Sequence, residues 1–319
     1  MTKFALAIHG GCGVMAKLDL SEAEWIAARR DLGRALEAGY AILERGGRAI
    51  DAVQAAVVVM EDSPHFNAGH GAALNENGIH ELDASIMDGA TLAAGAVCAS
   101  RHIRNPVLAA RAVLEHGDAV LLAGPAADRF AEARGLAVEE QAYFTTGRRK
   151  RALAAMKAHI AAGTQASASE SEKHGTVGAV ALDQHGHLAA ATSTGGYSNK
   201  PDGRVGDSPV VGAGTYARDG VCAVSGTGKG EFFIRHVVGH EVAARMTHLG
   251  EDVRTASTKV IMGDLRPHNI GAGLVAVGAD GSIAAPYNTE GMFRGWVTHK
   301  QKFHVASHGE VIRHEPDGR

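Results

Sequence analysis

Cysteine is nearly missing from this chain of 319 residues: there are three, Cys12, Cys98 and Cys222, with no C-x-x-C pair among them. An odd, scattered set argues against a disulfide framework and against a structural zinc site, and it fits a reducing, cytoplasmic compartment. An excess of one charge is missing too. Lys and Arg number 32 against 35 Asp and Glu, a net charge of −3, and the 18 histidines form no tract. Nothing in that balance points to nucleic acid or an anionic membrane as partner. No apolar run reaches the roughly 18 residues that a membrane helix needs. The start of the chain, Met1-Thr2-Lys3 and then Phe4–Ile8, meets a glycine turn without a small-residue cleavage site, which argues against a signal peptide. Proline is scarce, at 8, whereas glycine numbers 41 in a chain that is 45% hydrophobic. Disordered glycine-rich chains are poor in hydrophobic residues. These glycines sit instead at the ends of apolar runs, where backbone must turn tightly or approach a ligand.

The first strand is expected over Phe4–Ile8, ahead of His9-Gly10-Gly11. Ser21 with Glu24 three residues on forms a capping signature for a helix running to Arg45, and Gly46-Gly47 stops it. Arg48 to Glu61 is apolar nearly all round and reads as a buried helix. Ile79–Met87 and Leu92–Cys98 flank Asp88-Gly89 as a hairpin, and helices are expected at Pro106–His116, Ala126–Ala133 and Arg149–Ala161. The texture then changes. Ala162 to His174 (AGTQASASESEKH) has the composition of a linker. Beyond it lie a hairpin, Thr176–Leu182 with Leu188–Thr194, and a glycine- and charge-rich loop from Gly195 to Gly212. Strands Gly212–Ala217 and Val221–Ser225 follow, then helices Glu231–Leu249 and Asp252–Gly263, then strands Gly273–Gly278 and Ser282–Pro286. Hairpins with helices in blocks indicate an α+β layered fold.

Several motifs fail on inspection. Gly226-Thr227-Gly228-Lys229-Gly230 lacks both ends of the phosphate-loop pattern, having Ala223 and Gly230 where Gly and Ser or Thr are required. It keeps the character of an anion nest at a helix start. His236 and His240 share a helical face but lack the H-E-x-x-H order and a third zinc ligand nearby, and no G-x-S-x-G elbow occurs. What remains is the junction between the linker, Gly175 and Thr176. A threonine hydroxyl is a weak nucleophile that needs a base beside it. A threonine whose α-amino group has been freed carries such a base itself, with a pKa of ~7.7–8.0. A linker ending in Gly-Thr just before a strand is what a self-cleaving precursor requires.

The residues around this junction carry a resemblance. His9-Gly10-Gly11, Phe66-Asn67-Ala68-Gly69-His70-Gly71, Glu81 to Gly89 (ELDASIMDG) and His174 to Val180 (HGTVGAV) resemble the plant-type L-asparaginase/isoaspartyl aminopeptidase family. So do Ala191 to Gly196 (ATSTGG), Gly203 to Pro209 (GRVGDSP) and Asn288 to Met292 (NTEGM), in matching order from Ile8 to Trp296. The resemblance implies an αββα sandwich of the N-terminal nucleophile hydrolase type. The precursor would cut itself between Gly175 and Thr176 into an α subunit, residues 1–175 with the linker at about 162–175, and a β subunit, residues 176–319. It further implies Thr176 Oγ as nucleophile with Thr194 tuning it, and Thr227 with the Gly228 N–H as the oxyanion-stabilising pair. Asn67 would support the site, Arg204 would clamp the substrate α-carboxylate and Asp207 would take the α-ammonium. By the same resemblance a sodium ion would be held by main-chain oxygens of Met60, Glu61, Ser63, Phe66, Ala68 and His70. The partners implied are L-asparagine and β-aspartyl dipeptides, with assembly as a dimer of αβ heterodimers.

The residue types support this independently, since Arg offers a planar fork to a carboxylate and Asp the complementary charge to an ammonium. Cys12 departs from the family's usual Ala, Lys229 from a neutral residue, and Lys200-Pro201-Asp202 alters the loop before Arg204. Isoaspartyl peptidase with L-asparaginase activity is therefore the expectation. A glycosylasparaginase-like amidohydrolase, a cleavage-incompetent binding relative and a zinc hydrolase using His236 and His240 are its rivals.

Overall fold

Alternation along the strands decides the architecture. Strand β1 (Ala5–Gly11) sends Leu6 and Ile8 to one side and Ala5 and Ala7 to the other, and both sides are buried. Strands β5 (Val177–Leu182) and β6 (Leu188–Thr194) repeat the pattern: Val177, Ala179, Ala189 and Ala191 face one core, while Val180, Leu182, Leu188 and Ala190 face another. A sheet buried on both faces needs a layer on each. The computed structural model, which describes residues 3–13, 21–164 and 175–316, supplies both.

On one side lie helices α1 (Glu22–Glu44), α2 (Ala49–Glu61) and α3 (Pro106–His116), which bring Leu32, Leu36, Val53, Val57 and Val107 onto Leu6, Ile8 and Val177. Ser21 and Glu24 form the expected capping box at the start of α1. On the other side Ala5, Ala7 and Val180 meet Ala223, Val275 and Val277 of a second sheet. A third core joins that sheet to helices α7 (Gly230–His236), α8 (Val238–Leu249) and α9 (Val253–Thr258) through Val224, Leu274, Phe233, Val242 and Ala256. Between α3 and β5 come helices α4 (Gly124–Ala133), α5 (Gln141–Phe144) and α6 (Gly147–Ala161).

Among the described residues the larger sheet has nine strands in the order β13-β12-β11-β1-β5-β6-β2-β3-β4, with β2 Leu82–Asp88, β3 Ala94–Ser100, β4 Leu121–Ala123, β11 Phe293–Thr298, β12 Phe303–Ala306 and β13 Val311–His314. The smaller runs β10-β9-β8-β7, from β7 Thr215–Arg218, β8 Cys222–Gly228, β9 Ala272–Gly278 and β10 Ile283–Ala284. Apart from β3 with β4 the pairings are antiparallel, so the fold is α+β.

Three local differences from the sequence expectation have physical reasons. The helix expected over Glu231–Leu249 breaks at Val237, whose φ is +48°. There the N–H groups of Gly239 and His240 donate to Ala213 and Gly212 carbonyls, at 2.9 and 2.8 Å, instead of continuing the helix. The turn between β2 and β3 is longer than Asp88-Gly89, because the Gly89 N–H leaves to bond Leu188 O at 2.8 Å. The last three strands, β11 to β13, were not expected; their short mixed runs lack a clear period. Of the expected linker, residues 165–174 lie outside the described part of the chain.

Candidate active site

The side of the strands that faces the other sheet turns polar at one end. After Leu188 and Ala190, β6 carries Thr192 and Thr194; after Ala223, β8 carries Ser225 and Thr227; after Ala5 and Ala7, β1 carries His9. These groups bond to one another between the sheets. His9 Nε2 lies 2.9 Å from Ser225 Oγ, which lies 2.7 Å from Thr192 Oγ1. Thr215 Oγ1 donates to Thr192 Oγ1 at 2.6 Å, and Ser85 Oγ stands within hydrogen-bond distance of Thr215 Oγ1 and Ser208 O, at 2.8 and 2.6 Å. Burial drives the His9 imidazole down to about 3, so it stays neutral in this network beside the Thr176 backbone. Position 178 must be glycine here, because a Cβ would lie 1.9 Å from Ser225 Oγ and 2.5 Å from His9 Nε2.

Thr176 stands at this polar end, immediately before β5. Its Oγ1 is 2.5 Å from the carbonyl oxygen of Gly175 and 3.2 Å from Thr194 Oγ1. The same Gly175 oxygen accepts from Thr194 Oγ1 at 3.0 Å and from Asn67 Nδ2 at 3.1 Å. Asn67 is locked in turn, with Nδ2 also donating to Gly196 O at 2.5 Å and Oδ1 accepting from the Ala73 N–H at 2.6 Å. The Gly196 N–H donates to Thr194 Oγ1 at 3.0 Å. One main-chain carbonyl oxygen thus lies within hydrogen-bond distance of three donors, the Thr176 and Thr194 hydroxyls and the Asn67 amide.

A small pocket opens from this point, lined by Gly175, Thr176, Thr194, Tyr197, Arg204, Asp207 and Gly228 among others. The Arg204 guanidinium lies over the Tyr197 ring at 4.7 Å, and its Nε donates to Glu231 Oε1 at 3.1 Å. Asp207 is buried, and its Oδ2 has no hydrogen-bond partner among the described residues. Burial, partly offset by Arg204, pushes its carboxyl up to about 7. Beside a fixed cation, that bare acceptor suits a ligand that brings an anion and a donor cation together.

Thr227 is also buried, but its hydroxyl faces Cys12: the Cys12 N–H donates to Thr227 Oγ1 at 3.2 Å, and Cys12 Sγ donates to Thr227 O at 3.3 Å. Gly228 reaches the pocket with φ +148°, a conformation that only glycine takes readily, and a Cβ there would lie 2.5 Å from Gly271 O. Lys229 caps α7 outside the pocket lining, and its charge acts on Glu231. His236 and His240 fall on different helices, the first against His268 and the second against Tyr216. Among the described residues no group of three or more His, Cys, Asp or Glu could hold a metal ion.

The loop after α2 carries the main-chain oxygens expected to hold a sodium ion. Its buried carbonyls of Ser63, Phe66 and Ala68, with that of His70, accept no hydrogen bond among the described residues, while Glu61 O takes the His70 N–H at 2.7 Å. A Cβ at position 69 would lie 2.5 Å from Glu61 O, so the loop closes tightly on itself. Met60 O also accepts, from the Asp62 and Ser63 N–H groups, so four of the six oxygens expected to hold sodium are left without a donor among the described residues. Sequence reasoning did not single out His9, Tyr197, Ser225, Glu231 or Glu81. His9 and Glu81 lay inside quoted motifs, but only their partners across the sheets reveal what they touch.

An α+β protein with a threonine–carbonyl junction at one end of its sheets, beside an Arg–Asp pocket, is the class that emerges. The chain belongs to the asparaginase family: the family's model, described as asparaginase, matches residues 2–307. It is 46% identical over 299 residues to an isoaspartyl peptidase of Salmonella typhimurium, covering 93% of this chain and 96% of that one. It is 37% identical over 327 residues to a probable isoaspartyl peptidase/L-asparaginase 2 of Arabidopsis thaliana, covering 96% and 99%. A mouse isoaspartyl peptidase/L-asparaginase is 47% identical over 230 residues, 72% of this chain and 68% of that one.

Proposed function

We infer that the protein is a self-cleaving isoaspartyl peptidase with L-asparaginase activity, hydrolysing β-aspartyl amide bonds through a threonyl ester. The observation that carries this reading is the geometry at Gly175 O, where Asn67 and Thr194 donate and Thr176 Oγ1 approaches. Attack of Oγ1 on the Gly175 carbonyl carbon would move negative charge onto an oxygen that already has its donors in place. The Oγ1 proton passes to the Thr176 nitrogen as the C–N bond breaks, Gly175 is carried as an ester on Oγ1 beside the new amine, and water hydrolyses the ester to restore the hydroxyl and leave Gly175 as a carboxylate. The products are residues 1–175 and 176–319, the second beginning with a free α-amino group.

That amine is the base the hydroxyl lacked. With Gly175 gone, the pocket takes a small zwitterion. Arg204 clamps its α-carboxylate with the Nη groups left open by the Nε bond to Glu231, and Asp207 takes its α-ammonium through the bare Oδ2. Thr176 Oγ1 attacks the β-amide carbonyl, and its proton passes to the amine and on to the leaving nitrogen. The Gly228 N–H at the pocket would hold the oxyanion, joined by Thr227 once its hydroxyl turns from Cys12, and water then hydrolyses the aspartyl ester.

The layering we read as a four-layer αββα sandwich, supported by the three separate cores. Sodium in the 60–70 loop would bind main-chain carbonyls on either side of Asn67. We further propose a dimer of αβ heterodimers and a cytoplasmic location; the described residues contain no helix long and apolar enough to cross a membrane, and all three cysteines are buried thiols. The test is steady-state turnover of L-asparagine and a β-aspartyl dipeptide. Both should be cleaved, and Arg204→Ala should raise KM by about 2–5 kcal/mol in equivalent binding energy while self-cleavage stays intact. An unchanged KM would move the carboxylate site elsewhere.

A further inference from the structure

The loop that carries Arg204 belongs to the second half of the chain, yet residues of the first half fix it. Glu81, just ahead of β2, has its carboxylate almost wholly buried. Arg101 Nη2 donates to Glu81 Oε1 at 2.9 Å, and the Gly203 N–H donates to its two oxygens at 3.3 and 3.2 Å. Lys200, 0% exposed, gives its Nζ to the Glu81 carbonyl at 3.0 Å and stands 4.0 Å from Glu81 Oε2. Arg101 Nη2 also reaches Asp202 Oδ1 at 2.9 Å, where Asn75 Nδ2 donates at the same distance. Backbone bonds complete the seam: Glu76 N–H to Lys200 O and Asn199 N–H to Leu74 O, each 2.9 Å.

A buried carboxylate is tolerated only where charge and donors match it. Burial pushes Glu81 up, but the Arg101 hydrogen bond and the Lys200 charge hold it below its usual value. It is therefore an ionised, rigid acceptor whose ligands include the N–H of the residue directly before Arg204. The Lys200 stem also packs beneath Gly196, where a Cβ would meet its Cδ at 2.7 Å. Gly196 in turn holds Asn67 and Thr194.

We propose that Glu81, held by Arg101 and Lys200, is a positioning residue for the Arg204 loop, so that carboxylate recognition by residues 176–319 depends on a carboxylate supplied by residues 1–175. The inference rests on the reading of Arg204 as the substrate clamp. It accounts for Lys200-Pro201-Asp202, whose two charged members meet Glu81 and Arg101.

The test measures L-asparagine kinetics of the processed wild type, Arg101→Met, Arg101→Lys and Glu81→Gln. Arg101→Met should raise KM roughly fivefold and Glu81→Gln about tenfold or more, with kcat and self-cleavage close to wild type. Arg101→Lys should restore most of the lost affinity. Should Glu81→Gln not fold, Arg101→Met decides the matter, because that side chain is 36% exposed and its loss leaves the core filled. Unmoved KM in the folded variants, or a fall in kcat at constant KM, overturns the inference. Arg204→Ala with a raised KM beside an unmoved Arg101→Met overturns it alone, and a wild type that turns over neither substrate overturns the pocket reading as well.

Discussion

Asn67 shows how one side chain can serve two purposes at the residue scale. Its Nδ2 donates both to the Gly175 carbonyl, where the proposed cut falls, and to Gly196, the turn that holds Thr194. Asn67→Ala should slow self-cleavage by about 10²-fold or more, the loss typical of one oxyanion donor, as followed by gel densitometry of the intact chain. Asp207 sets a pH dependence of its own. Its carboxyl titrates at about 7 because it is buried, and only the ionised form can accept an ammonium. KM for L-asparagine should therefore rise as pH falls through 7, while kcat follows the Thr176 amine. A KM flat from pH 6 to pH 8 would show that Asp207 does not hold the ammonium. The Gly175–Thr176 junction stood out in the sequence because a linker ends there just before a strand, whereas Thr194, Arg204 and Asp207 were reached only through the family resemblance, and the structure places all four around one small pocket. Glu81, His9 and Glu231 did not stand out, because what they do depends on partners 20 or more positions away.

At the scale of elements, strands with strict alternation and helices with caps declared themselves, as β5, β6 and α1 do. Where tertiary contacts overrule local preference, nothing in the chain gave notice. Val237 is the clearest case: a β-branched residue held at φ +48° where two following N–H groups bond to the loop before β7. A left-handed β-branched residue costs about 1–2 kcal/mol. Val237 is 45% exposed, so replacing it sacrifices little packing. Val237→Asn, which tolerates this conformation, should stabilise the fold by about 1 kcal/mol and raise Tm by roughly 2 °C in calorimetry. A lower Tm would mean that the valine side chain contributes more than the backbone loses.

For the whole molecule, the sheet order interlocks the two halves. Strand β1 of the first half lies between β11 and β5 of the second, and β2 pairs with β6 across the same divide. A cut at Gly175 would leave each half without a complete sheet of its own. The fragments should accordingly elute together in native size-exclusion chromatography and separate only in denaturant; separation under native conditions would contradict this topology. The central claim is that Thr176 cuts the chain in front of itself, and intact mass of purified protein over an incubation series tests it most directly. The account predicts conversion of the 319-residue chain into fragments 1–175 and 176–319, and an uncut Thr176→Ala variant under the same conditions. A Thr176→Ala chain cut at the same bond, or a wild-type chain that stays whole while turning over L-asparagine, would contradict it.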